Sequence, residues 1–321
     1  MPITFAEAQQ LSQPKLTKKV IDQFRTSALI DALPFDNTVK PAGGNSLDYV
    51  YNRVTTFPGA ASRVLNADYS PSEAATTAIP SRLAIFGGSF QLDRALILGE
   101  HEVVDHVQFQ VEQKVKATIA QFHNMFINGK QSAPAIANSW EFDGLDTLLV
   151  GGDQEITLNN AIALDTSTNI SANWQAFLDQ LRALEAVMDG SPTAYLMNQA
   201  MYAKFQSVMD RAGINLASKE NYGRNVSVWG DSLVMALGNI PGNASPIIGT
   251  DVVDGTTSIY AVRLGMDGVH GVSLAGGKLA DVYLPNMQDA SAVKTGAVEM
   301  IAGLAYTSTQ SAAVLRNIDI A

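Results

Sequence analysis

The chain has 321 residues, of which 46% are apolar, enough for one large packed domain or two small ones. Only 16% of the residues are charged and the net charge is −10, so the surface draws on uncharged polar side chains and repels nucleic acid. The absence of cysteine excludes disulfides, thiolate nucleophiles and cysteine-ligated metals. No secretory signal and no apolar run of the roughly 18 residues needed for a membrane helix occur, which predicts synthesis in the cytoplasm.

The first 46 residues mix short amphipathic pieces with Pro14, Pro34, Pro41 and the pair Gly43 and Gly44. Bases outnumber acids over the early part of this segment. Prolines and glycines at these intervals interrupt any regular element. The composition therefore predicts an arm over residues 1–46 and not a core element.

Residues 47–94 are rich in β-branched and aromatic side chains. The runs LDYVYNRVTTF (47–57) and SRLAIFGGSFQLDRAL (81–96) are typical of strands, and the polar stretch NADYSPSEAATT lies between them. They predict a long hairpin with a large loop. Because an isolated two-stranded ribbon is marginally stable in water, we expect the hairpin to rest on something else, such as another subunit.

The clearest periodic signal in the chain follows the hairpin. Apolar residues recur at intervals of three and four, which places them on one face of a helix predicted over 99–129, a rod of roughly 40 Å. Glu100, Glu102 and Asp105 stand at its start, where the helix dipole favours anions, and Gly129 follows its last turn. The stripe consists of Val104, Val107, Val111, Val115, Ile119, Phe122 and Phe126.

The rest of the chain alternates helices and strands. NWQAFLDQLRALEAVMDG and NQAMYAKFQSVMDRAG predict two amphipathic helices, and TAYLMN between them predicts a short buried strand. Short strands and turns fill the chain beyond Gly213. No internal repeat with a period of 20 to 50 residues occurs, which argues against a solenoid.

Glycines at 265, 268, 271, 276 and 277 raise the question of a phosphate-binding loop. The spacing is neither that of a dinucleotide fingerprint nor that of a Walker A loop, because Leu279 follows Lys278 and Val272 stands five residues before Gly277. We interpret these glycines as residues of tight turns between short strands.

HEVVDH at 101–106 resembles a zincin helix, but the position four residues after His101 is Asp105 and not a second histidine. No nucleophile elbow or EF-hand loop occurs. The acids Asp143, Asp146, Asp153 and Glu155 are interpreted as a repelling surface, with a weak cation site between subunits as the alternative. We assign no catalytic, cofactor-binding or metal-binding residue. A metal-dependent hydrolase stays a distant alternative.

The order of these elements resembles the major capsid proteins of tailed bacteriophages, whose fold is shared with encapsulins. The phrases FINGK, FDGLDTLL, AYLMNQAMYAKFQ, SIYAVRLGMDGVHGV and AAVLRNI agree with the resemblance, which covers essentially the whole chain. It implies an α+β tailed-phage capsid fold with an N-terminal arm, a long E-loop hairpin, a spine-helix peripheral domain and an axial domain. The implied ranges are an arm at 1–46, the hairpin at 47–94, a peripheral domain at 95–144 with the spine helix at 99–129, an axial domain at 145–275, and return strands at 276–321 that complete the peripheral domain.

The resemblance implies a structural protein and not an enzyme, one that self-assembles into hexamers and pentamers of an icosahedral virion capsid around double-stranded DNA. It implies no sequence-specific DNA binding and no membrane. Expected partners are other copies of the chain, a portal, decoration proteins and a scaffolding protein. Since only about 46 residues precede the hairpin and the chain begins with Met1, we expect scaffolding to be a separate protein. An encapsulin-like compartment that holds cargo enzymes is the alternative on the same fold.

The hairpin contains arginine but no lysine. Some members of the family are cross-linked through a hairpin lysine, which this hairpin cannot supply. We therefore predict that Arg53, Arg63, Arg82 and Arg94 meet carboxylates of a neighbouring subunit, with Glu100, Glu102 and Asp105 as candidates. The resemblance also places the glycine-rich stretch at the exit from the axial domain, so Gly265, Gly268, Gly271, Gly276 and Gly277 form a candidate hinge for capsid maturation.

Overall fold

The computed structural model describes residues 28–39, 47–94, 102–134, 140–214, 216–221, 224–243, 245–274, 280–286 and 288–321. Its helices are α1 (Ala28–Ala32), α2 (Glu102–Asn128), α3 (Leu145–Leu149), α4 (Ser167–Ala186) and α5 (Gln199–Arg211). Its strands are β1 (Phe35–Val39), β2 (Asp48–Thr56), β3 (Ala75–Arg82), β4 (Ala84–Asp93), β5 (Glu155–Ala163), β6 (Ala194–Asn198), β7 (Ala217–Asn221), β8 (Arg224–Trp229), β9 (Ser232–Leu237), β10 (Thr256–Val262), β11 (Val269–Leu274), β12 (Ala280–Tyr283), β13 (Val293–Tyr306) and β14 (Ala312–Asp319). Only residues 28–39 of the arm predicted over 1–46 are described, and there the prediction was wrong, because Leu29, Ile30 and Leu33 are buried in the core and β1 pairs with β11.

The predicted spine helix is confirmed as α2, which ends one residue before Gly129. Five members of its apolar stripe are buried, because the helix lies across the five-stranded sheet. None of the helices in the described part of the chain is long and apolar enough to cross a membrane. The buried members of the stripe are Val111, Val115, Ile119, Phe122 and Phe126.

The 14-residue strand β13 is the centre of the five-stranded sheet. Along one edge it pairs antiparallel with β4, from Val293 opposite Asp93 to Ala302 opposite Ala84. It also pairs antiparallel with β12 and β11, and β11 pairs in parallel with β1. A single long strand thus holds the other four together.

The seven-stranded sheet has the order β5-β14-β10-β6-β9-β8-β7. Helices α4 and α5 cover one face, where Phe177, Leu181, Phe205 and Met209 form a core with the strands. The other face contributes to the core that contains α2, so the central strands of this sheet are buried on both sides. Strands β6 and β9 therefore consist almost entirely of apolar residues, as expected for strands covered on both faces.

Strands β2 and β3 form the hairpin, with Asp48 opposite Arg82 and Thr56 opposite Ala75, and residues 57–74 connect them. The sequence placed the returning strand at 81–96, and this was wrong. The residues of β4 pair with β13, whose long edge offers a partner over ten residues. The true returning strand, ATTAIPSR, lacks an alternating apolar pattern because most of its side chains are exposed.

The last strand also differs from the expectation. Residues 276–321 were predicted to complete the sheet of the spine helix, and β12 and β13 do so. Strand β14, however, lies in the seven-stranded sheet between β5 and β10. Conversely, β11 was placed in the axial domain and lies in the five-stranded sheet. The sequence of a short apolar strand does not indicate which sheet the strand joins, because pairing with distant parts of the chain determines its place.

Candidate inter-subunit contact surface

The inner face of the hairpin base rests on its own chain. Leu83, Val272 and Ala305 form a small buried cluster, and Tyr49 and Tyr51 of β2 pack against it. The expectation that the hairpin leans on something else therefore holds for its base, and the support is the five-stranded sheet of the same chain.

Polar side chains of the hairpin fasten this contact. The Tyr51 hydroxyl donates to the Tyr306 carbonyl at 2.7 Å, and Arg53 Nε donates to the Thr307 carbonyl at 3.0 Å. The Ser81 hydroxyl donates to the Leu304 carbonyl. Burial raises the pKa values of the Tyr51 and Tyr306 hydroxyls, so both stay protonated. The Tyr51 hydroxyl therefore keeps the proton that it donates to the Tyr306 carbonyl.

A second tyrosine anchors the start of β2. The Tyr49 hydroxyl donates to Asp36 Oδ2 at 3.1 Å, and its ring lies edge-on to the buried His270 ring at 6.0 Å. Burial lowers the pKa of His270, so the imidazole is neutral at physiological pH. The base of the hairpin is thereby bonded to β1, β11 and β13.

The tip of the hairpin lies beyond these contacts. Phe57 is 81% exposed and Leu65 is 84% exposed, and Val64 and Tyr69 are exposed as well. The loop is shaped by its own bonds, since the Ser72 hydroxyl donates to the Gly59 carbonyl at 2.9 Å and the Arg63 guanidinium lies 5.5 Å from the centre of the Tyr69 ring. No other described element covers these apolar side chains, and such a patch is typical of an interaction site.

The four hairpin arginines have different surroundings. Arg53 is used within the chain, and Arg82 lies 3.6 Å from Asp48 and 4.7 Å from the centre of the Trp140 ring. Arg63 lies in the exposed tip, and Arg94 is exposed at the end of β4. The prediction of arginine contacts to a neighbour stays a prediction, and these surroundings make Arg63 and Arg94 the better candidates.

The predicted acidic partners of these arginines cannot be located in the same way. Glu100 lies outside the described residues, and Glu102 and Asp105 lie in the first turns of α2, where side chains are not described. Of the motif HEVVDH, His101 likewise lies outside the described residues, and His106 lies in the first turns of α2, where side chains are not described. Among the residues whose placement is described, no group of three His, Asp or Glu side chains is arranged to hold a metal ion.

The acidic region after the spine helix is partly neutralised, which corrects its interpretation as a repelling surface. Arg316 Nη2 lies 2.7 Å from Asp146 Oδ1, and Arg316 Nε donates to Glu155. The Tyr260 hydroxyl donates to Asp146 Oδ1 at 2.9 Å. Asp146 thus holds α3 to the seven-stranded sheet, and Glu155 joins β5 to β14 within that sheet. The decisive partner, Arg316, lies far along the chain and was missed by sequence reasoning.

A second exposed apolar feature lies at the end of the seven-stranded sheet. Val252 is 99% exposed, and its neighbour Val253 is also almost fully exposed. Asp251 Oδ1 accepts the Val253 N–H at 2.7 Å, so a side-chain turn holds this loop. Two adjacent valines between acids carry no periodic signal, so the sequence alone does not predict this exposed pair.

The glycine-rich stretch divides into two kinds of position. Gly265 and Gly268 lie in the connection between β10 and β11, where Gly268 N–H donates to the Gly265 carbonyl at 3.0 Å. Gly271 lies inside β11, not in a turn, and a Cβ there would lie 2.4 Å from the Phe35 ring. Gly276 and Gly277 lie outside the described residues. The hinge prediction therefore concentrates on Gly265 and Gly268.

Comparison with solved structures reveals a common fold at low sequence identity. The chain is similar to the SrpI encapsulin of Synechococcus elongatus PCC 7942, with a TM-score of 0.60 and 17% identity over 99% of this chain and 97% of that one. The chain adopts the fold shared by tailed-phage capsid proteins and encapsulins. The capsid of a native GTA particle has a TM-score of 0.57 and 10% identity over 92% and 90% of the two chains.

A phage capsid gives the same result. The capsid of Myoviridae phage XM1 has a TM-score of 0.53 and 10% identity over 91% of this chain and 92% of that one. No model of a known protein family matches the sequence, and neither does any curated protein. The predicted α+β capsid fold is confirmed, and the likeness at these identities concerns the fold alone.

Proposed function

We propose that this capsid-like chain is a major capsid protein that assembles into hexamers and pentamers of an icosahedral shell around double-stranded DNA. The observation that carries the proposal is the hairpin, whose base is fastened to its own subunit and whose apolar tip is exposed. Exposure of this kind is costly for a protein that stays monomeric. A second copy of the chain that covers the tip removes the cost.

The other features support a shell subunit. The net charge of −10 lets a shell enclose DNA without binding it tightly. Many modest contacts multiplied over a closed lattice give a stable assembly even when each contact is weak. A groove of about 400 Å³ between β4 and α2, lined by Ile85, Lys114 and Trp140, is a candidate seat for a neighbour's hairpin tip.

The proposal keeps the predicted domain organisation with changes at four strands. Strand β1 leaves the arm and β4 leaves the hairpin, since both lie in the five-stranded sheet. Strand β14 joins the axial domain around the seven-stranded sheet, and β11 joins the peripheral domain around the spine helix. A portal, decoration proteins and a separate scaffolding protein are the proposed partners, the host cytoplasm is the proposed place of synthesis, and the virion capsid is the proposed location. The same proposal includes non-covalent contacts between hairpin arginines and carboxylates of neighbouring subunits. It also includes a hinge at Gly265 and Gly268.

An encapsulin-like compartment is the second candidate. The similarity to the SrpI encapsulin spans nearly the whole length of both chains, which supports it. Both candidates share a closed protein shell, and they differ in its contents. Nucleic acid in the shell supports the capsid, and a co-purified cargo enzyme supports the compartment.

Electron microscopy of the purified protein tests the proposal. We expect closed shells, or rings of five and six subunits, and we expect nuclease-protected DNA in particles taken from infected or induced cells. Compact monomers or dimers at every concentration would contradict both shell functions. Stoichiometric metal in elemental analysis would revive the metal-dependent hydrolase. Covalently linked multimers on a gel after the particles are boiled in detergent would contradict non-covalent contacts between subunits through arginines.

A further inference from the structure

Two chain connections between the sheets lie beneath the hairpin base. Residues 263–268 lead from β10 of the seven-stranded sheet to β11 of the five-stranded sheet. Residues 307–311 lead in the opposite direction, from β13 to β14. Any change in the angle between the two sheets must be accommodated by these segments together with residues 129–154, which lead from α2 to β5.

Hydrogen bonds join the two connections into one unit. The Arg263 N–H donates to the Ser311 carbonyl at 2.7 Å. The Thr307 N–H and Thr307 hydroxyl both donate to the Gly268 carbonyl, at 3.1 Å and 2.7 Å. A Cβ at position 268 would lie 2.6 Å from the Arg263 carbonyl oxygen of the same connection and 3.2 Å from Cβ of Ser311 in the other, so the tight fold of residues 263–268 requires glycine there.

The hairpin is bonded to the same unit. Arg53 Nε donates to the Thr307 carbonyl at 3.0 Å, and its guanidinium lies 5.3 Å from the centre of the Tyr306 ring. Thr307 thus accepts a hydrogen bond from the hairpin through its carbonyl and donates two to Gly268. A continuous chain of hydrogen bonds runs from the hairpin through Thr307 to the connection between β10 and β11.

We propose that Arg53 and Thr307 couple the hairpin to the two connections, so that loosening either one loosens the other. The coupling is a property of a single subunit, and only its use rests on the proposed function. In a shell, a neighbour that moves the hairpin tip would change the stability of the junction between the two sheets. Because coupling free energies are reciprocal, the effect must be measurable from both ends.

Hydrogen–deuterium exchange with mass spectrometry tests the coupling from the hairpin end. Arg53→Gln removes the guanidinium that reaches Thr307. We expect amide exchange in peptides that cover 263–269 and 306–311 to become at least about fivefold faster. Peptides of α5 should keep their wild-type rates. Asn52→Ala is the matched control, because it alters the next residue of the same strand on the exposed face.

The reverse experiment uses Thr307→Val, which removes the hydroxyl bond to Gly268 and keeps the branched shape. We expect faster exchange in peptides of β2 and β3, although the substitution is outside the hairpin. If each variant accelerates only the segment that carries the substitution, the coupling proposal is overturned.

Exchange rates in α5 distinguish loosening of the whole subunit from coupling between the hairpin and the two connections. If Arg53→Gln also accelerates exchange in α5, the substitution has loosened the whole subunit. The milder Tyr51→Phe variant, which removes one hydrogen bond of 2.7 Å, is then used to test whether exchange in 263–269 becomes faster while α5 is unchanged. Acceleration confined to the hairpin then overturns the proposal, and acceleration that includes 263–269 supports it. Electron microscopy of the same samples reports shell formation separately, so failure to assemble counts against the proposed function and not against the coupling.

Discussion

The spine helix and the hairpin are both long elements, but different contacts hold them. Helix α2 is anchored from Val107 to Ile127, since its apolar side chains over this range lie in or against the main core of the chain. The hairpin is anchored only at its base, and its tip carries apolar side chains that no described element of the subunit covers. Helix α2 therefore serves the fold of one subunit, and the hairpin tip is the part that we propose for contact between subunits.

The largest expected effect on stability is at the centre of the spine helix. The ring of Phe122 lies 5.9 Å from that of Phe35, 6.2 Å from that of Phe126 and 6.1 Å from that of Phe142. Phe122→Ala leaves a cavity among these rings, and we expect the free energy of unfolding to fall by about 3–5 kcal/mol.

Thermal or chemical denaturation measures this loss. Gln113→Ala, on the exposed side of the same helix, is the control and should change the free energy of unfolding by less than about 0.5 kcal/mol. A loss of less than about 1 kcal/mol for Phe122→Ala would show that the spine helix is not the centre of the core.

Acid should lower the free energy of unfolding through His123, which lies next to Phe122 in α2. Desolvation within the packed protein lowers the pKa of His123 from 6.5 to about 4. Between these pH values the unfolded chain binds a proton at His123 and the folded chain does not, so stability falls as the pH falls. At 1.36 kcal/mol for each pKa unit, the loss from this group is roughly 3 kcal/mol once the pH reaches about 4.

The slope of unfolding free energy against pH tests this effect independently of absolute stability. His123→Gln removes the titrating group, so its slope between pH 6.5 and 4 should be shallower than the wild-type slope. Gln113→Ala should keep the wild-type slope. Equal slopes in His123→Gln and the wild type would rule out His123 as a source of acid sensitivity.

The same contrast explains how much could be predicted from the sequence. The stripe of α2 is a local periodic signal, and it identified the helix and its end at Gly129. The fastening of the hairpin base is not local, since Tyr51 and its acceptor Tyr306 lie 255 residues apart. The pairing of β4 with β13 and the position of β14 depend on contacts of the same kind, so the sequence misplaced both.

The candidate contact surface was predictable only in part. The first strand-like run and the polar stretch after it indicated a long hairpin that needs support, whereas the second run was mistaken for its returning strand. The role of Arg53 could not be foreseen, because its acceptors are backbone carbonyls of β13 and the segment that follows it. Backbone acceptors have no residue signature, whereas the carboxylates that we expected as partners do.

The smallest expected effect on stability, and the largest on assembly, is at the hairpin tip. Phe57 and Leu65 are 81% and 84% exposed, so Phe57→Ser combined with Leu65→Ser should change the unfolding free energy of the subunit by no more than about 0.5 kcal/mol. If the tip is buried against a neighbour in the shell, the same change removes two apolar side chains from every copy of that contact. We therefore expect electron microscopy and sedimentation to show folded subunits that no longer form shells.

A polar residue of the same loop provides the control for the tip. Ser62→Ala alters an exposed residue of the tip without removing an apolar contact, and it should assemble as the wild type does. Shells of normal yield from the Phe57→Ser and Leu65→Ser double variant would show that the tip is not the contact. The assembly surface would then have to be sought elsewhere, first at the exposed pair Val252 and Val253. Loss of assembly without loss of stability would separate the two roles, because Phe122→Ala in the core is expected to lower stability and, with it, assembly.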